Sequence, residues 1–307
     1  MNPYQEDDWH PLNFSSQHFL PPPLFFKTGL WHRLYRHSLA RAGVALLLPI
    51  LFFLLMGPWL SGYEYDALHL AGKNHPPSFE FWFGTDDLGR DIFTRICYGG
   101  RISLFVGVVA ALIDLAVGCF WGGVSGLLGG RLDDILMRLA DILYSLPYLL
   151  IVILLSVVLG SGIFSLLIAI TLTGWITMAR IVRGQILMLK EMDYVIAAKT
   201  MGASALRLLF IHLLPNALGP ILVTLTLTVP SAMFSEAFLS FLGLGIQAPQ
   251  ASLGTMANEG LTALEFYPWR FFFPACFISL ILLSFHLIGE ALKEILDEGG
   301  HQHETIA

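Results

Sequence analysis

The sequence contains few cysteines and few charged residues. Its three cysteines, Cys97, Cys119 and Cys276, are too few and too widely spaced to form a disulfide framework or a metal site of recognisable spacing, and we interpret them as small packing residues. Asp, Glu, Lys and Arg make up 13% of the 307 residues, whereas 55% are hydrophobic. Such a composition excludes an ordinary soluble domain and indicates an integral membrane protein with an all-α fold.

Recognisable nucleotide-binding and hydrolytic motifs are also missing. The Gly72-Lys73 pair is followed by Asn74, and Ala67 stands where a phosphate-binding loop has its first glycine. Neither H-E-x-x-H nor G-x-S-x-G occurs. We therefore expect a non-catalytic protein with no catalytic residues, no metal site and no cofactor of its own, and nothing in the sequence suggests a nucleic-acid partner.

Long apolar runs are abundant. A span needs about 20 apolar residues to cross a hydrocarbon core of roughly 30 Å. Six windows approach that length, five without charge and one with a single charged residue, Asp114. The predicted spans are Ala42–Leu60, Ile102–Leu128, Ile142–Leu159, Ile163–Ala179, Ala217–Ser235 and Phe271–Gly289.

The distribution of positive charge predicts the topology. With the N-terminus inside, twelve of the seventeen Lys and Arg residues fall on the inner side, so both termini are expected in the cytoplasm. Glu6, Asp7 and Asp8 argue against a secretory signal. The predicted organisation is a cytoplasmic tail with an interfacial basic and aromatic segment (1–41), a first span (42–60), an extracytoplasmic segment (61–101), a five-helix core (102–290) and a cytoplasmic tail (291–307).

Two acidic residues lie within predicted spans. Asp114 and Glu236 are costly in hydrocarbon, by at least about 2.5 kcal/mol for a central Asp. Each is therefore expected to face protein, water or a partner. They are candidates either for a translocation pathway or for structural hydrogen bonds between helices, and the sequence favours neither.

The second predicted span carries glycines at intervals of four. Gly118, Gly122, Gly126 and Gly130 would follow one another around the helix by about 40° and form a nearly flat face. Such faces let helices approach closely in lipid. We favour packing within the chain over a subunit interface, and either implies a tight assembly of helices.

A compact, moderately polar segment lies between two long apolar runs. Residues 194–216 read as helix, glycine turn and helix, with Asp193 and Ser204 as N-caps, Gly202 as the left-handed residue of the turn, and Pro215 at the end of the second helix. An ordered element of this kind in a cytoplasmic loop suggests that another protein docks there.

This segment resembles the EAA loop of bacterial ABC importer permeases, in which two short helices dock into a groove of the ATPase. The resemblance rests on Ala197-Ala198, Gly202 and the run from His212 to Pro215. The chain departs from the pattern at Ile196, where a glutamate is usual. The resemblance implies a coupling loop that includes Ala197, Ala198, Lys199, Gly202, Arg207, Leu214 and Pro215.

Three further segments are similar to the dipeptide, oligopeptide and nickel permeases of this class. They are FWFGTDDLGRDIFTRICYGGRISL (81–104), LDDILMRLADILYSLPYLL (132–150) and SEAFLSFLGLGIQAP (235–249). The resemblance implies a type I ABC importer permease with six transmembrane helices in the bacterial inner membrane. It also implies a second homologous permease, two ATPase subunits that bind ATP and Mg²⁺, and an extracytoplasmic binding protein as partners, besides membrane lipid.

The expected function is ATP-driven import of short peptides. Nickel or another small solute is the alternative substrate. A gradient-driven carrier is the alternative of a different class, but it would be expected to show inverted repeats and clustered intramembrane carboxylates, neither of which is apparent.

Overall fold

The computed structural model describes residues 30–247 and 250–304. Within these ranges it is α-helical, without a named strand. The parts of the predicted tails in residues 1–29 and 305–307 lie outside the described residues, as do Ala248 and Pro249. The α-helices are α1 (Leu30–Arg36), α2 (Ser38–Ser61), α3 (Ile92–Leu128), α4 (Gly130–Ser145), α5 (Tyr148–Leu159), α6 (Ile163–Leu189), α7 (Asp193–Thr200), α8 (Ala205–Arg207), α9 (Leu218–Phe241), α10 (Leu253–Leu261) and α11 (Trp269–Glu304).

Five of the described helices, α2, α3, α6, α9 and α11, are long and apolar enough to cross a membrane, and a sixth span is present if α4 and α5 count together. The prediction of one continuous helix over Ile142–Leu159 is wrong, because α4 and α5 meet at an angle of 82°. Leu146 is extended, as expected for a residue that precedes proline, and Pro147 caps α5. With 12 residues, α5 is about 18 Å long and too short to span the hydrocarbon core.

Several helices are longer than predicted. The helix α3 begins at Ile92 rather than 102, because the Asp91 carboxylate accepts a 2.8 Å hydrogen bond from the Thr94 amide and caps it. The last ten residues of the predicted extracytoplasmic segment 61–101 are thus helical. The helix α6 continues ten residues beyond Ala179, and α11 continues beyond Gly289 to Glu304.

The glycine face of α3 lies against α6. A Cβ at Gly118 would lie 2.6 Å from the Met178 Cβ, one at Gly126 would lie 2.9 Å from the Ile186 Cβ, and one at Gly122 would overlap the Ala179 carbonyl oxygen. Gly130 departs from the prediction, because α3 ends at Leu128 and Gly130 starts α4 with a φ of +58°. Three glycines, not four, therefore bring the two helices into close contact.

The peripheral helix α2 is attached to α3 at the point where a proline interrupts the backbone hydrogen bonds of α2. Pro58 has no N–H to donate to the Leu54 carbonyl one turn earlier. Arg101 supplies a donor in its place: its Nε lies 2.5 Å from the Leu54 oxygen, and its Nη2 lies 2.6 Å from the neighbouring Leu55 oxygen. The proline and the arginine together fasten α2 to the core.

A group of charged residues, three buried and one partly exposed, covers the N-terminal end of α3, and we call it the ion-pair cap. It consists of Asp86, Arg90, Arg95 and Glu259. Arg90 Nε donates to Asp86 Oδ2 at 2.6 Å, Arg95 donates to the same oxygen, and Arg95 Nη1 donates to Glu259 Oε2 at 2.9 Å. Glu259 belongs to α10, a helix that the sequence reasoning did not predict, so the cap joins the loop before α3 to α10.

Burial and ion pairing act in opposite directions on the acids of this region. Burial raises the pKa of Asp86, but the charge of Arg95 and the hydrogen bond from the Arg90 amide lower it more, so this pKa lies below its ordinary value. Burial dominates at Asp91 and raises its pKa, although Thr94 donates two hydrogen bonds to the carboxylate.

Candidate coupling loop and translocation cavity

The segment 194–216 forms a tight turn between two short helices. The helix α7 ends before Gly202, which has a φ of +86°, and the Ala203 amide donates to the Ala198 carbonyl at 3.1 Å. This six-to-one hydrogen bond is typical of helix ends closed by a left-handed glycine. Ser204 accepts a hydrogen bond from the Arg207 amide at 3.3 Å and caps α8. Asp193 does not act as predicted: Met192 is the N-cap, and Asp193 is the first helical residue.

A π-helix, Leu208–Leu213, follows α8 directly. The Leu214 amide donates to the Leu209 carbonyl at 2.8 Å, five residues back. The side-chain amide of Asn216 donates to the His212 carbonyl at 2.5 Å and satisfies a carbonyl near the end of this turn. Sequence reasoning missed the π-helix, since a sequence of apolar residues does not distinguish i+4 from i+5 hydrogen bonding. Such segments are frequent at functional sites.

One side of the segment is anchored in the helical core. Its buried residues pack against α6 and α9; they are Val195, Ala198, Leu208, Leu209 and Leu213, in contact with a cluster that includes Met178, Val182, Ile186 and Ile221. Leu209 also faces Gly123 of α3, where a Cβ would lie 3.2 Å from Leu209 Cδ1. A displacement of the loop therefore acts on three of the long helices at once.

The other side of the segment exposes apolar side chains, which we call the docking patch. The patch consists of Ile196, Met201, Leu206, Phe210 and Ile211. Met201 is 81% exposed and Phe210 is 59% exposed. Of the predicted loop residues, Ala197, Lys199, Gly202, Arg207 and Pro215 are exposed, whereas Ala198 is buried and Leu214 is half-buried. An exposed apolar cluster outside the long helices is a candidate site of protein contact.

Glu236 is fully buried and hydrogen-bonded. Its Oε2 accepts from Ser103 Oγ at 2.6 Å, and its Oε1 accepts from Ser240 Oγ at 2.8 Å. Ser103 in turn accepts from the Leu253 amide at 3.3 Å. The carboxylate thus joins α3, α9 and the start of α10, and it does not belong to the cavity described next.

Asp114 lies in a different environment. It lines a cavity of about 710 Å³ that is bounded by α3, α4, α5, α6 and α9. Its side chain is 2% exposed, and its Oδ1 has no hydrogen-bond partner in the described part of the chain. The structure therefore separates the two intramembrane acids that the sequence treated alike.

The cavity wall consists mainly of hydroxyl groups and apolar side chains. The hydroxyl-bearing residues are Tyr144, Tyr148, Thr173, Thr177, Thr224, Thr228, Ser231 and Ser235. Those on α9 recur at intervals of four, three and four residues, which places them on one face of the helix. Asp114 is the one charged residue of the lining. A wall of uncharged hydrogen-bonding groups suits a polar solute without demanding a particular side chain.

Below the glycine contact between α3 and α6, a bidentate ion pair joins α4 to α6. Arg183 Nε and Nη2 donate to the two Asp133 oxygens at 2.5 and 2.6 Å, and Ser125 donates to the same carboxylate. Lys190 Nζ donates to the Gly126 carbonyl at 3.3 Å. Sequence reasoning missed this cluster, although Asp133 and Arg183 both lie near the ends of apolar runs. It fixes the turn at Gly129-Gly130 onto α6.

Comparison with known proteins identifies related sequences over nearly the whole chain. The family described as the binding-protein-dependent transport system inner membrane component matches residues 115–299. The N-terminal TM domain of oligopeptide transport permease C matches residues 28–77. The chain is 55% identical to the oligopeptide transport system permease protein OppC of Bacillus subtilis over 265 residues, 86% of this chain and 87% of the relative.

Two other relatives agree. The dipeptide transport system permease protein DppC of Bacillus subtilis is 51% identical over 296 residues, 95% of this chain and 92% of the relative. OppC of Escherichia coli K12 is 42% identical over 275 residues, 88% of this chain and 91% of the relative.

Among solved structures, an inward-facing form of the MetNI methionine ABC transporter matches with a TM-score of 0.51 at 17% identity. The match covers 65% of this chain and 94% of that chain. At this identity it supports the fold alone, and the predicted all-α permease fold is confirmed.

Proposed function

This chain belongs to the family of binding-protein-dependent transport system inner membrane components, and on that premise we propose that it conducts short peptides across the bacterial inner membrane. It is a non-catalytic permease subunit of an ABC importer. The assignment of peptides as the substrate rests on the 55% and 51% identity to permeases named for oligopeptide and dipeptide transport. The hydroxyl-lined cavity supports it, because peptides of varied sequence share a polar backbone.

A second, homologous permease completes the pathway in this proposal. The cavity is bounded on one side by α3, α4, α5, α6 and α9, and the partner supplies the opposite wall. An extracytoplasmic binding protein delivers the peptide. Both termini lie in the cytoplasm, as the distribution of Lys and Arg favours.

Two ATPase subunits, which bind ATP and Mg²⁺, supply the energy, and one of them docks on the docking patch. Two features support this assignment. The patch exposes apolar side chains outside the long helices, and the residues beneath it pack against α6, α9 and α3. ATP-driven movement of the ATPases would therefore reach the cavity wall as a rigid-body shift of packed helices.

Reconstituted transport tests the function directly. The chain, its partner permease, both ATPases and the binding protein are placed in proteoliposomes, and uptake of radiolabelled trialanine is followed with and without ATP. We expect uptake that requires both ATP and the binding protein. Uptake driven by a proton gradient in the absence of the ATPases would refute the proposal and favour a secondary carrier.

A further inference from the structure

We propose that the Asp114 carboxylate is the subsite of the translocation cavity that binds the α-ammonium group of the peptide; this inference rests on the proposed peptide transport. Its starting point is the difference between the two acids inside the membrane. Glu236 receives hydrogen bonds from two serines, whereas Asp114 Oδ1 receives none from the described residues. A nearly buried oxygen without a donor requires one from elsewhere.

The surroundings of Asp114 hold the carboxylate at the cavity wall. Gly174 of α6 lies opposite, and a Cβ there would come within 2.9 Å of Asp114 Oδ1 and would overlap Oδ2. Both residues line the cavity. The absence of a side chain at Gly174 therefore leaves the space that the carboxylate occupies, and it keeps the cavity open at this point.

The charge of the cavity selects the ligand chemistry. None of the ion pairs formed among the described residues includes Asp114. The other lining residues are uncharged; hydroxyls at Thr173 and Thr177 provide further donors and acceptors, and the Thr228 hydroxyl, which donates to the Thr224 carbonyl, provides an acceptor. One carboxyl group among neutral hydroxyls favours a cation that donates several hydrogen bonds.

A peptide carries such a cation at a constant position. The α-ammonium group has three N–H donors and is present whatever the side chains are. The hydroxyl face of α9 extends along the same cavity. Its threonines donate to carbonyls of their own helix and can accept hydrogen bonds from the peptide backbone, whereas Ser231 and Ser235 can donate or accept. Recognition of the terminus rather than of side chains fits a pathway that admits many sequences.

The test measures binding of two probes that differ only at the N-terminus of the peptide. Trialanine amide has a free α-ammonium, and N-acetyl-trialanine amide is neutral. The complete permease–ATPase complex is purified without the binding protein and without nucleotide, and binding of radiolabelled trialanine amide is measured by equilibrium dialysis, with the acetylated peptide as competitor. We expect the acetylated peptide to compete about tenfold less well.

Variants of the two acids identify the group responsible. We expect Asp114→Asn to weaken binding of trialanine amide about tenfold and to abolish the difference between the two probes, and Asp114→Glu to retain part of that difference. Glu236→Gln is the matched control, a buried acid outside the cavity, and it retains the preference for the free ammonium. Co-purification of the ATPases and the partner permease checks that each variant assembles.

Three results would overturn the inference. They are equal competition by the two probes in the wild-type complex, an unchanged preference in Asp114→Asn, and loss of the preference in Glu236→Gln as well. A fourth result would also overturn it: loss of the partner permease from Asp114→Asn, together with equal binding of the two probes by Asp114→Glu, would show that Asp114 pairs with the partner permease and not with the peptide. ATP-driven uptake of trialanine by the wild-type complex tests the proposed function separately.

Discussion

The surfaces next to the two ends of α3 differ in how far their side chains are paired and packed within the chain. At its N-terminal end, the ion-pair cap buries charges and satisfies them within the chain. At its C-terminal end, the docking patch leaves apolar side chains exposed, although the residues beneath them are well packed. Charged side chains that are paired within the chain favour a rigid structure, whereas exposed apolar side chains favour contact with a partner protein.

The strongest test of this contrast is at the turn of the coupling loop. We expect Gly202→Asp to abolish co-purification of the ATPase while membrane insertion is unchanged. Aspartate tolerates the φ of +86° at this position, so the expected loss comes from the new carboxylate, which would lie beside the docking patch without a partner once the ATPase is docked. The measurement is the ATPase content of the affinity-purified complex.

Gly202→Asn is the matched control for that variant, because asparagine tolerates the left-handed conformation and carries no charge. It should retain more ATPase than Gly202→Asp. Normal co-purification of Gly202→Asp would count against docking at this loop.

A large effect is also expected in the ion-pair cap. Arg95→Met removes a donor from both Asp86 and Glu259 and leaves buried charge incompletely paired, so we expect a loss of about 3 kcal/mol in unfolding free energy. Thermal unfolding of the detergent-solubilised complex measures it. Arg180→Met, which breaks the exposed pair with Asp141, should cost less than about 1 kcal/mol. Equal losses of unfolding free energy in the two variants would show that burial does not strengthen the ion pairs of the cap.

Two exposed phenylalanines at opposite ends of the molecule sharpen the comparison. Phe210 in the docking patch is 59% exposed, and Phe79 in the loop before α3 is 104% exposed. We expect Phe210→Ser to weaken ATPase binding roughly tenfold, since burial of a phenylalanine contributes about 1.5–3 kcal/mol. Phe79→Ser should leave ATPase affinity unchanged. Titration of purified ATPase onto the permease pair distinguishes the two, and equal weakening would contradict a localised docking surface.

Acid sensitivity of the cap gives the smallest expected effect. The pKa of Asp86 is lowered in the folded protein, so its ionised form stabilises the fold above its ordinary pKa near 3.8, and that stabilisation is lost as pH falls further. Asp86→Asn should therefore reduce the fall in melting temperature between pH 7 and pH 2.5. The pKa of Asp91 is raised, and Asp91→Asn should not reduce that fall. A fall of unchanged size in Asp86→Asn would contradict the assignment.

Continuous apolar runs predicted most of the long helices, because a span must be apolar over its whole length. Their ends were less accurate. The start of α3 depends on one carboxylate at Asp91 that caps the helix ten residues before the apolar run begins. The break at Pro147 was visible in the sequence, but an uninterrupted apolar run around it favoured one straight span.

The site was predictable where its geometry is local. Gly202 sets the turn through its own backbone conformation, and Ser204 caps a helix by accepting from the amide of Arg207. The turn could therefore be derived from the sequence. The environments of Asp114 and Glu236 depend on distant partners: Ser103 lies 133 residues from Glu236 in the chain, and Gly174 meets Asp114 from another helix. No local sequence pattern distinguishes an acid whose oxygens accept hydrogen bonds from one whose oxygens accept none.

The length of α3 has a mechanical consequence. With 37 residues it is about 56 Å long, well beyond the hydrocarbon thickness. Arg95 in the ion-pair cap and Gly123 beneath Leu209 lie on this one helix, about 42 Å apart along its axis. A tilt of about 10° around one contact would move the other by roughly 7 Å. Because both contacts lie on one rigid helix, a tilt that leaves one contact in place displaces the other by several ångströms.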